Sequence, residues 1–131
     1  NGKKKAKLEE EKWKKEEKLE KKFAKFIYDI DEIECCVREM TNIIENCEFL
    51  PKKEFKILDK IAYFICDNRP NIVKENIDVV KKNTVIYKEK AYRFIDLIDK
   101  YKLLNKEIML DDYYSSLKKT LSKMKDVETY R

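Results

Sequence analysis

The sequence points to an all-α fold: an up-down helical bundle of three to four helices with a charged N-terminal helical extension. Spacing, composition and length together lead there. Apolar residues form two ladders, Phe23, Phe26, Ile30, Ile33, Val37, Met40, Ile44, Cys47 and Val73, Ile77, Val80, Thr84, Tyr87, Ala91, Phe94, Ile98, Tyr101, in steps of three or four. Such spacing holds one stripe along a helix and demands a partner helix to cover it. The 131 residues are 44% charged and 43% hydrophobic, and they include one Gly and two Pro. That composition suits amphipathic helices with a solvated face and leaves little turn chemistry for sheets. A chain of this length forms one domain, burying roughly two-thirds of its unfolded surface.

Residues 1 to 22 read as a Lys/Glu-rich helical extension and residues 23 to 131 as the bundle domain. In the extension, Glu10/Lys14, Glu11/Lys15 and Glu17/Lys21 stand in the favourable i,i+4 order, each pair contributing about 0.2–0.5 kcal/mol. Its apolar residues, Ala6, Leu8, Trp13 and Leu19, do not continue the ladder. The segment is expected to project or fray.

The first bundle helix should run from Leu19 to Glu48, roughly 45 Å at 1.5 Å per residue. Pro51 should end it and open a second helix over Lys52 to Asp67, with Phe55, Leu58, Ile61, Ala62 and Ile65 on one face. Asp67-Asn68-Arg69-Pro70 repeats the device, so a third helix is expected from Pro70 to Leu104. Asp111 or Asp112 should cap a last helix carrying Leu110, Tyr114, Leu117, Leu121 and Met124 and ending near Asp126. Short connections make sequential neighbours antiparallel.

The chemistry is sparse. There is no His, which removes the commonest general base and metal ligand. Cys35, Cys36, Cys47 and Cys66 lack the paired spacing of a zinc site. They read as small apolar residues, with one disulfide through Cys66 as the alternative, and reduced thiols would fit a cytosolic compartment. On the ladder Cys47 is a core position, Cys36 flanks the core and Cys35 faces solvent. Asp29, Asp31, Glu32 and Glu34 lack the glycine and loop of a calcium site and read as a solvated face. The only Gly, Gly2, rules out a phosphate-binding loop, and Ser115, Ser116 and Ser122 have no His to activate them. We therefore expect no enzyme activity, no cofactor, no metal and no small-molecule substrate. No apolar run approaches the length of a membrane span. The chain begins at Asn1 without Met, as a fragment or processed form would.

Two surfaces are candidates for partners. The third helix is apolar on a second side, where Val79, Val85, Ile86 and Tyr92 leave the ladder. Either that helix is central and touches neighbours on two sides, or these residues form a partner or dimer patch, with Trp13 as a further anchor. The arm is the other surface. Residues 1 to 22 hold ten Lys against six Glu, while the rest of the chain carries a net charge of +1. Lys3, Lys4, Lys5 and Lys7 beside Trp13 suggest nucleic-acid binding as an alternative, the lysines on phosphates and the indole on a base. Interleaved Glu9, Glu10, Glu11, Glu16 and Glu17 favour a solvated helix instead. The function expected is a non-enzymatic interaction or scaffold module that assembles through helix surfaces, as an oligomer or with a helical, coiled-coil-like protein partner.

Overall fold

The structure, a computed structural model, describes residues 2–105 and 107–130; the side chains of residues 2–10, 12, 128 and 130 fall outside the described part. It is all-helical, with no strand among the described residues. Five α-helices pack against one another: α1 (Gly2–Lys22), α2 (Ala24–Glu45), α3 (Lys52–Asp67), α4 (Ile77–Lys100) and α5 (Asp111–Lys123). Short 3-10 turns follow at Leu103–Asn105 and Val127–Tyr130.

Four helices close a ring in which α2 packs on α3 and α5, and α4 packs on the same two. The ladders supply its centre. Phe23, Phe26, Ile30, Ile33, Val37, Met40 and Ile44 are buried, as are Val80, Thr84, Tyr87, Ala91, Phe94 and Ile98. Leu58, Ile61, Ala62 and Ile65 enter from α3, and Leu117 and Leu121 from α5. Buried Thr41 and Thr84 stay satisfied because each hydroxyl donates to the carbonyl four residues back, at 2.7 and 2.6 Å. Contacts at the ends show the directions of neighbouring helices. Arg69, just after α3, pairs with Asp31 and Glu34 in the first half of α2. Tyr114 at the start of α5 donates to Asp99 at the end of α4, at 2.8 Å.

Several boundaries differ from those expected. Five helices are present with the N-terminal extension counted as α1, and the helix expected from Leu19 to Glu48 begins instead as a separate element at Ala24 and stops at Glu45. Phe23 sits at φ −109° and ψ 23° between α1 and α2. Backbone bonding nevertheless crosses the junction, from Phe23 N–H to Leu19 O and from Ile27 N–H to Phe23 O. Pro70 does not open the next helix. It is buried in a connection where Asn71 Oδ1 accepts from the N–H groups of Val73 and Lys74. Asn76 then caps α4, its Oδ1 accepting from Val79 N–H at 3.0 Å. Val73, a rung of the expected ladder, thus lies outside the helix.

Asp111 and Asp112 do not cap α5; Leu110 holds the cap position and the two acids occupy the first turn, where the helix dipole favours negative charge. With no glycine available after position 2, the α4–α5 connection takes its left-handed turns at Lys102 (φ 52°) and Met109 (φ 57°). Val127, beyond the last expected helix, is buried as well. Asp29 is not solvated as its run suggested: it is buried beside Lys25 Nζ at 3.2 Å.

Candidate interaction surfaces

All four off-ladder residues of α4 are exposed, at 40% for Val79, 58% for Val85, 36% for Ile86 and 42% for Tyr92. At 100° per residue they fall on two flanks of the helix rather than one. Val79 and Ile86, seven apart, lie on the α3 side, where Ile86 shares a cleft of about 360 Å³ with Phe64, Asn68, Arg69 and Asn83. Val85 and Tyr92, also seven apart, lie on the α5 side, the side from which Lys88 donates to Met124 O at 3.2 Å. Exposed Lys82 and Glu89 stand between the flanks.

The α3 flank continues across the groove. Lys53, Ile57, Lys60 and Phe64 recur at helical spacing on the α4-facing side of α3, and Lys90 Nζ lies 5.3 Å from the centre of the Phe64 ring. Ile57 is exposed and Phe64 half-buried. The groove therefore has apolar rungs with cations along both rims.

Trp13 is 67% exposed on α1 and shares a shallow pocket with Glu16, Glu17 and Glu20. The indole consequently stands among carboxylates. Glu17 also meets Lys21 at 3.5 Å, an i,i+4 surface pair. The side chains of Lys3, Lys4, Lys5 and Lys7 lie outside the described residues.

Arg69 carries a role that turn propensity alone did not suggest. Its guanidinium joins Asp31 and, at 2.8 Å, Glu34, pinning the α3–α4 connection onto α2. This clamp borders a groove of about 660 Å³ between the α1–α2 junction and residues 69–73, with Ile27, Tyr28 and Val73 among its walls. Asp31 and Arg69 in that groove neutralise each other, and Glu20 of α1 adds a further carboxylate to its wall.

All four cysteines are free thiols. Cys36, expected to flank the core, is buried, while Cys47, expected inside it, is half-buried because α2 has already ended. Burial, and then the Glu32 carboxylate to which its thiol donates, push Cys36 up to about 12. Burial also raises Cys66, with Glu34 adding to it and Arg38 opposing. Tyr114 is pushed up to about 12 by burial and by its bond to Asp99. Among the described residues no cluster of three or more His, Cys, Asp or Glu is placed to hold a metal ion, and no helix is long and apolar enough to cross a membrane.

No protein-family model matches the chain, and no curated protein or solved structure shows significant similarity to it.

Proposed function

We propose that this chain is a non-enzymatic helical interaction or scaffold module that mediates protein–protein association or self-assembly through its helix surfaces. The observation that carries this reading is the exposure of Val79 and Ile86 on one flank of α4 and of Val85 and Tyr92 on the other. Paired apolar residues seven apart are the anchors used in helix-in-groove and coiled-coil-like association, with flanking charges setting register. The partner is a helix, from another protein or from a second copy, and no cofactor is required. The nucleic-acid reading draws no support from the surroundings of Trp13, since Glu16, Glu17 and Glu20 repel the phosphates that would accompany a stacked base.

Sedimentation velocity of the full chain and of Ile86→Glu tests the proposal. A charge placed at an apolar anchor should raise the dissociation constant at least about tenfold, with helicity by circular dichroism unchanged. Equal association of the two proteins would count against α4 as the binding surface.

A further inference from the structure

We infer that α1 of one copy docks in the α3–α4 groove of a second copy, with Trp13 as its anchor and its glutamates facing the groove's cations. The inference rests on the association reading above and specifies the partner, the segment and the site. Three observations carry it.

The groove is open and cationic. Phe64 on α3 stands beside Ile86 on α4, Ile57 and Val79 continue the two rows towards opposite ends of the groove, and the same helical rows carry Lys53, Lys60, Lys90 and Arg93, all exposed. Asp67 and Glu75 flank the end near Arg69, where Glu75 accepts from Asn83 at 3.2 Å.

The arm is the complement. Trp13 supplies a large exposed apolar body, and Glu16, Glu17 and Glu20 lie beside it on the same face. An indole inserted beside Ile86 and Phe64 would bring those carboxylates to Lys60, Lys90 and Arg93. Opposed charges across an apolar seam fix register and favour the correct partner.

The arm is also badly placed to fill its own groove. Backbone hydrogen bonding through Phe23 carries α1 onward from α2, and Trp13 stands about 15 Å past that junction. The α3–α4 groove runs back along the bundle. Each copy therefore offers one arm and one groove, which two copies can satisfy reciprocally by two-fold exchange or which successive copies can satisfy as a chain.

Trp13 is the only tryptophan, so its fluorescence reports the contact directly. In the full chain its emission should move to shorter wavelength over about 1 μM to 1 mM, in step with the rise in mass by sedimentation. Glu16→Lys with Glu20→Lys should displace both transitions to at least about tenfold higher concentration, and adding Lys60→Glu with Lys90→Glu should restore them to within about threefold. Glu20, Lys60 and Lys90 are exposed and Glu16 is half-exposed, so the bundle core is untouched, and circular dichroism checks that each variant keeps its helicity. Emission independent of concentration, or reversed groove charges that fail to rescue reversed arm charges, would overturn the inference. If mass rises and Ile86→Glu lowers it while Trp13 emission stays fixed, this inference falls and the association reading stands. If mass never rises, the inference falls together with the self-assembly branch of that reading.

Discussion

Replacing Tyr87 by phenylalanine should stabilise this protein. Tyr87 is fully buried on α4, and its hydroxyl has no hydrogen-bond partner among the described residues. An unpaired buried hydroxyl costs about 1–3 kcal/mol, whereas the ring that fills the core is common to both residues. Taking the lower end, Tyr87→Phe gains about 1 kcal/mol at neutral pH. With a urea m-value of about 2 kcal/mol/M, the midpoint should rise by about 0.5 M while m stays unchanged.

The pH dependence sharpens the test. Burial, and then Glu34, hold the Tyr87 phenol well above its ordinary 10.0. The folded state thus keeps a proton that the unfolded chain releases. This group's contribution is therefore intact below about pH 10 and is lost as pH rises beyond it, by about 1.4 kcal/mol per unit. The substitution removes that loss, so the advantage of the variant should widen between about pH 10 and 11. Cys36 and Tyr114, both pushed up to about 12, lie in both proteins, so the difference isolates Tyr87. A loss of about 1 kcal/mol or more at pH 7, or parallel alkaline limbs, would show that the hydroxyl is satisfied and that its burial carries no penalty.

Other perturbations follow from single contacts. Phe94→Ala opens a void at a fully buried position and should cost about 3–5 kcal/mol in urea unfolding. Asn76→Ala removes the cap on α4 and should cost about 1 kcal/mol, with faster hydrogen exchange confined to the first turn of that helix. Met109→Gly relieves a left-handed residue that is also strongly exposed, and should raise the urea midpoint through a gain of about 0.5–1 kcal/mol. Exposed Cys35 should react with a thiol reagent within the native state, whereas buried Cys36 should react only as the bundle opens.

The core was legible in the sequence because burial in a helical protein follows a period, and the ladder rungs from Phe23 to Ile44 and from Val80 to Ile98 needed nothing more. Boundaries were less legible where two signals competed. Pro70 and Asn76 both carry helix-opening signals, and the Asn71 side chain decides between them by folding residues 71–74 into a turn first. Cys47 illustrates the same difficulty at the other end of a ladder: the period runs on after the backbone has left the helix at Glu45. Arg69 could not be recognised as a clamp, since Asp31 and Glu34 lie more than thirty residues away and become neighbours only when α3 returns along α2. The acidic surroundings of Trp13 follow from the interleaved glutamates of the arm, the 100° rotation per residue placing Glu16, Glu17 and Glu20 beside the indole. The split of the α4 residues into two flanks was available in the same way.

Whether exposed helix surfaces bring chains together is decided by light scattering coupled to size exclusion on the full chain. The mass should climb from that of one chain towards two or more as loading concentration rises, and Ile86→Glu should hold it near one. A single-chain mass at every concentration, with no helical peptide able to shift it or to shield Ile86, would mean that these surfaces recruit nothing.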